Sequence, residues 1–194
     1  MHMPLSTART KHWTRLEYER LVDLGAFRPG ERLELVGGAL VVREPQGGPH
    51  ATAVGLAEDA LREAFGPGWT VRAQSPIALD EESEPEPDVA VVPGTRRDYR
   101  RDHPSQPVLI VEVADSSLPL DQREKASLYA RARIADYWIV NLVDDVLEVY
   151  RDPVADPDTP YGWRYGSTAI LHAGDVVTPL ALSHPGVPVS DLLL

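Results

Sequence analysis

The chain has 194 residues, no cysteine and a net charge of −11 at pH 7. The missing cysteines exclude disulfides and thiolate metal sites, and the acidic balance argues against non-specific nucleic-acid binding, which needs clustered positive charge. No stretch is apolar enough to span a membrane and the N-terminus has no signal-peptide pattern, so the expectation is a cytoplasmic protein of one domain over residues 1–194.

In chain order, residues 1–13 carry no pattern and read as a loose arm. Thr14-Arg15-Leu16-Glu17 is a capping box, opening a helix with Leu16, Leu21 and Leu24 inward and Gly25 as its C-cap. Arg32 to Val36 and Ala39 to Val42 flank Gly37-Gly38, a two-residue hairpin signal. Glu34 lies in the first of these strands, where alternation allows either a solvent-facing residue or a member of a site. A Gly/Pro-rich loop at 45–49 leads into a helix from about His50 to Phe65, closed by Gly66. His50 reads as a helix-terminal surface histidine or as a ligand or phosphate contact. Strand signals follow at Trp69 to Ala73 and Ile77 to Leu79, then a solvated acidic turn from Asp80 to Glu86. Pro87-Asp88 opens an apolar strand, Val89 to Val92, as suits a proline before a strand. Arg96, Arg97, Arg100 and Arg101 surround Tyr99 in the chain's densest basic cluster, read either as a solvated loop or as a contact to a nucleic-acid backbone.

The most informative stretch runs from Pro107 to Lys125. Val108 to Val113 is an apolar run of the kind shown by a strand buried on both faces, with Glu112 inside it. A carboxylate there is costly unless it is paired or binds a cation. After a polar turn at 115–117, Asp121 is a good N-cap for a helix running to about Ile134. Helical side chains lean toward the N-terminus, so Lys125 can reach back to the strand of Glu112. Of the nineteen basic residues only Lys11 and Lys125 are lysine. Lysine, unlike arginine, is a compact charge whose pKa moves when buried. Tyr137 to Val143 and Val146 to Arg151 then form a second hairpin around Asp144-Asp145, with short strands near 163–165 and 176–177. Together these signals describe an α/β (α+β) fold, a mixed central sheet flanked by helices with an N-terminal hairpin.

The chemistry lies in the combination. Asp88 at a strand start, Glu112 in the next strand and Lys125 on the following helix can converge at one edge of a sheet. Two carboxylates with the carbonyl of Val113 make hard oxygen ligands for Mg²⁺ or Mn²⁺. Such an ion polarises a phosphoryl oxygen and activates water. Lys125 then holds the attacking water or neutralises charge on the phosphate. The chain contains no Gly-rich phosphate loop, no G-x-S-x-G and no H-E-x-x-H.

P-D at 87–88 followed by E-V-A at 112–114 resembles the metal-dependent PD-(D/E)XK nuclease superfamily, although Ala114 stands where the usual lysine would be. Within it the chain is similar to the Uma-two group of restriction-endonuclease-like proteins, a bacterial domain of unknown function. The matching residues are L-E-L-V-G-G (33–38), His50, P-E-P-D-V-A-V-V (85–92), V-E-V-A-D-S-S (111–117), D-Q-R-E-K-A-S-L-Y-A (121–130) and D-Y-W-I-V-N (136–141). The resemblance extends over about 14–194, with departures at Arg133 and Asn141. It implies a restriction-endonuclease-like fold and a lysine moved to the following helix. It carries over Asp88, Glu112 and Lys125 as the catalytic set, with Glu34 as a subsidiary fourth member. His50, Gln74, Arg96, Arg97, Arg100 and Arg101 are candidate substrate contacts.

Two functional classes stay open on the sequence. One is a metal-dependent DNA phosphodiesterase, working as a homodimer on two strands. The other is a catalytically silent module that keeps the fold and the site for binding a partner.

Overall fold

Thr14 caps the first helix, α1 (Arg15–Asp23), through a complete capping box with Glu17. The structure, a computed structural model, describes residues 10–43, 46–183 and 186–194. Most of the expected N-terminal arm therefore lies outside the described residues, but Trp13 donates its backbone N–H to Gly38. The inward face expected for α1 is corrected. Leu16 and Leu24 are 60% and 80% exposed, and the helix is anchored instead by buried Tyr18, whose hydroxyl donates to the Leu33 carbonyl. Nine residues give too little apolar surface for a core face, and one aromatic ring does the anchoring.

Strands β1 (Leu33–Val36) and β2 (Ala39–Val42) form the expected hairpin, with Gly37 and Gly38 both at positive φ. At Gly37 a side chain would also collide with Tyr161. The acidic turn at 80–86 is not a solvated loop. Glu84 and Leu35 exchange backbone hydrogen bonds, the Ser83 hydroxyl accepts from Gly37, and both Ser83 and Glu84 are buried. β1 is an edge with unpaired backbone groups, and this turn covers it. The strand expected at 77–79 does not form.

Helix α2 (Gly48–Phe65) precedes β3 (Trp69–Ala73), β4 (Val89–Pro93) and β5 (Leu109–Ala114). A composite helix α3 spans 118–131. It opens with a turn at Leu118–Leu120, widens to a π-helix at Asp121–Lys125 and returns to α-helix at Ala126–Arg131. β6 (Asp136–Asn141), β7 (Val146–Ala155) and β8 (Trp163–Leu171) complete a six-stranded sheet in the order β3-β4-β5-β6-β7-β8. Only β5 and β6 are parallel, with α3 as their crossover. A short pair, β9 (Val176–Val177) with β10 (Val187–Pro188), closes the fold.

Both faces of the sheet are covered, which is why β5 reads as a continuous apolar run. Leu109, Val111 and Val113 pack with α2, while Ile110 and Ala114 pack with Tyr129 and Ala130 of α3. By alternation Glu112 falls on the α3 face. No helix among the described residues is long and apolar enough to cross a membrane.

Candidate functional site

Antiparallel pairing of β4 and β5 sets Val89 against Val111. One step further along, Asp88 comes opposite Glu112. Each carboxylate caps the other's strand: Asp88 donates its N–H to Glu112 Oε2 at 3.2 Å, and Val113 donates its N–H to Asp88 Oδ2 at 2.9 Å. Beside them is a cavity of about 290 Å³, lined also by Glu34, Arg43, His50, Asp121 and Lys125.

The crossover helix supplies the ammonium. Lys125 is 4% exposed, and its Nζ lies 3.1 Å from Glu112 Oε1, 3.2 Å from Glu34 Oε1 and 3.7 Å from Asp121 Oδ1. Asp121 is thus not the N-cap of a helix. The helix starts at Leu118, and the π-turn brings Asp121 onto the buried side, where the Ser117 hydroxyl donates to it at 2.6 Å. Four residues past Lys125, the Tyr129 hydroxyl donates to Glu112 Oε1 at 2.7 Å. Glu34 is brought into the site rather than toward solvent, its second oxygen accepting from the Glu86 N–H at 3.0 Å.

On the opposite wall Asp88 is gripped by several donors. Arg43, just past β2, lies 2.9 Å from Oδ1, and Gln46 and Gln74 each approach that oxygen to 3.4 Å. His50, in the first turn of α2, brings Nε2 to 3.2 Å from Oδ2, and its Nδ1 is buried without a partner among the described residues.

Electrostatics follow from this crowding. Burial pushes the Glu112 carboxyl up, Lys125 opposes that, and Asp121, Asp88 and Glu34 add to it, so that it is raised to about 7. Burial works against Lys125's charge, but Glu112, Glu34, Asp121 and Asp88 outweigh it and hold the ammonium well above its usual range. Lys125 is therefore a fixed cation, not a tunable one, and lysine suits the position by its compact shape among three acids. Asp88 is pushed up by burial, yet the His50, Val113 and Arg43 contacts overcome this and keep it below its ordinary value. Four buried carboxylates here share two permanent cations, Lys125 and Arg43.

Such a set fits a hard divalent ion in chemistry and in charge. Among the described residues no three or more His, Asp or Glu side chains are arranged to hold a metal by themselves. Two carboxylates suffice for Mg²⁺, which keeps several waters and completes its octahedron with substrate phosphate.

The arginine cluster falls elsewhere. Asp88 immediately precedes β4 and Arg96 comes three residues after its last residue, so the whole strand, roughly 16 Å long, lies between them. Arg96 lines a different hollow with Gly66 to Gly68, and none of Arg96, Arg97, Arg100 or Arg101 lines the acid-rich cavity. Sequence reasoning missed Arg43, Asp121 and Tyr129. The spacing of Asp121, Lys125 and Tyr129, four residues apart in each step, was a usable signal for one helix face. Nothing local marked Arg43, which meets Asp88 only through the hairpin.

Comparison with known proteins agrees with this architecture. The family model described as "Uma2: Putative restriction endonuclease" matches residues 16–187. No curated protein matches the chain. Among solved structures, the chain is similar to a protein of Anabaena variabilis ATCC 29413 described as "a putative nuclease belonging to DUF820". The TM-score is 0.67 and the identity 14%, over 93% of this chain and 97% of that chain. At that identity the likeness is one of fold.

Proposed function

The chain belongs to the Uma2 family, and from that membership we propose that it is a divalent-metal-dependent phosphodiesterase that hydrolyses DNA. The observation that carries the reading is the pair of buried carboxylates on adjacent strands, Asp88 and Glu112, facing a buried ammonium in an open cavity. Asp88 and Glu112 would hold Mg²⁺ or Mn²⁺, with the Val113 carbonyl as a third ligand. When bound, the ion supplies charge that polarises a phosphoryl oxygen and lowers the pKa of water.

The remaining work falls to the chain's own groups. Lys125, held charged by its carboxylate neighbours, stabilises negative charge as it builds on the phosphoryl oxygens. Glu34 and Asp121 fix the ammonium between them, and Tyr129 holds the Glu112 carboxylate in one orientation. His50, on the Asp88 side, faces the cavity and contributes to holding the substrate phosphate. A homodimer that brings two such sites to two strands belongs to the same reading.

One observation favours the alternative of a silent binding module. Both Asp88 oxygens accept from protein donors, including the permanent cation of Arg43. Incubation of plasmid DNA with the purified protein separates the readings. The nuclease cuts in Mg²⁺ but not in excess chelator, and Glu112→Gln abolishes the cutting. A wild-type protein that binds DNA and never nicks it, in either Mg²⁺ or Mn²⁺, is the module.

A further inference from the structure

Arg43 is the one permanent cation on the Asp88 side of the cavity among the described residues. Its Nη2 lies 2.9 Å from Asp88 Oδ1, its Nη1 3.4 Å from Glu86 Oε2, and its side chain is 10% exposed. Burial works against this charge, but Glu112, Asp88, Glu34 and Glu86 more than make up for it. The Asp88 carboxylate it grips has no spare oxygen. Oδ2 faces the Val113 N–H and His50 Nε2, and Oδ1 faces Arg43, Gln46 and Gln74. Of these the Val113 N–H belongs to a β5 backbone held by pairing with Val140 of β6, whereas Arg43 reaches in from the cavity wall by a flexible side chain.

We infer that Arg43 is a resident counter-cation of the site. It neutralises Asp88 in the metal-free protein and must release that carboxylate before a divalent ion can share it with Glu112. The inference rests on the metal-binding reading above and adds a property of this chain to it: Arg43 sets how tightly the site takes an ion. Two cations cannot share the same carboxylate oxygen without strong repulsion in a partly buried cavity. Ion binding is thereby coupled to movement of the guanidinium, whose other acidic partner, Glu86, also pairs with Arg32 at 3.2 Å. Removing the competitor strengthens metal binding, even though it removes a favourable ion pair from the metal-free fold.

The test is calorimetric titration of Mg²⁺ into the full chain, wild type against Arg43→Met and Arg43→Gln. Glutamine keeps a hydrogen-bond donor for Asp88 without the charge, and it serves as well where methionine disturbs folding. Both variants are expected to bind Mg²⁺ at least about tenfold more tightly than wild type, the scale of one competing charge removed. Both are also expected to melt lower than wild type without metal and to gain more from added Mg²⁺. Wild-type binding with unchanged or weaker affinity in the folded variants overturns the inference and leaves the metal-binding reading standing. Absence of Mg²⁺ binding in all three proteins overturns both.

Discussion

A single buried carboxylate at one place in this molecule and a cluster of four at another are satisfied in different ways. Asp136, which opens β6, is fully buried and takes hydrogen bonds from the Trp138 indole at 2.8 Å, the Leu180 N–H at 2.8 Å and Arg151 at 2.9 Å. Here one acid meets one cation. Around the cavity, Glu34, Asp88, Glu112 and Asp121 share Lys125 and Arg43, and burial with mutual repulsion raises Glu112. The first arrangement is what a fold does with an acid it needs for structure. The second crowds four acids around two permanent cations, and such crowding favours an added cation.

The largest effects are expected from removing charge at the single acid and at the cluster. Asp136→Ala leaves Arg151 without its carboxylate and should cost about 3–5 kcal/mol, with no recovery in Mg²⁺. Lys125→Ala strands three acids and should cost a similar amount, about 3–5 kcal/mol, in metal-free buffer. Here part of the loss should return when Mg²⁺ is added, because the ion neutralises what the lysine no longer does. Denaturant unfolding of both variants, with and without Mg²⁺, measures this directly. Identical Mg²⁺ responses would mean that the two groups do not differ in kind. Lys125→Arg probes shape at constant charge. The planar fork does not fit among three acids spaced for an ammonium, so DNA cleavage should fall by about two orders of magnitude, the scale of losing one charge-stabilising group. Turnover equal to wild type would remove Lys125 from the chemistry.

Asp121→Asn removes one of the crowded acids while Lys125 keeps Glu112 and Glu34. Stability in metal-free buffer at pH 7 should rise by about 1 kcal/mol, the order of one relieved like-charge contact. A loss of stability would mean that the site is balanced like Asp136.

Glu84 is an intermediate case outside the cavity. Burial raises its carboxyl to about 7, the Glu19 carboxyl adds to this, and Arg15, 3.9 Å away, offsets only part. Because the folded value lies above the ordinary 4.5, this group's stabilisation is complete below about pH 4.5 and fades as pH rises through about 7. Glu84→Gln should flatten that slope and add about 1 kcal/mol at pH 8, after allowance for solvent screening, with little change at pH 4. Equal effects at both pH values would mean that the carboxyl's titration is not the cause. The smallest effect is expected from neutralising Arg96, Arg97, Arg100 and Arg101, which stand away from the cavity. Cleavage rate should change by less than about threefold, as for other surface charges remote from a site. A loss comparable to Lys125→Arg would bring the cluster back to the substrate.

Much of this was readable along the chain because the signals were local. Gly37-Gly38 marked a turn that needs positive φ, the apolar run at 108–113 marked a strand covered on both sides, and Glu112 stood out as a misfit within it. Lys125 was legible because helix geometry points its side chain back to that strand. What could not be read depends on contacts between distant segments. Arg43 meets Asp88 through a hairpin, and the turn at 80–86 is buried only because it covers β1. A π-turn has no residue pattern of its own, so Asp121 reads as a cap in the sequence and is a buried partner of Lys125 in the fold. The arginines at 96–101 looked useful because they were dense, but density in sequence does not say which end of a strand a loop leaves from.

Anomalous diffraction from crystals grown with Mn²⁺ reads out whether Asp88 and Glu112 jointly take a divalent ion. One strong peak is expected about 2.2 Å from a carboxylate oxygen of both Asp88 and Glu112, with Arg43 turned away from Asp88 and no peak at Asp136. A site with no peak, or a peak bound by only one of the two carboxylates while Arg43 still holds Asp88, would contradict it.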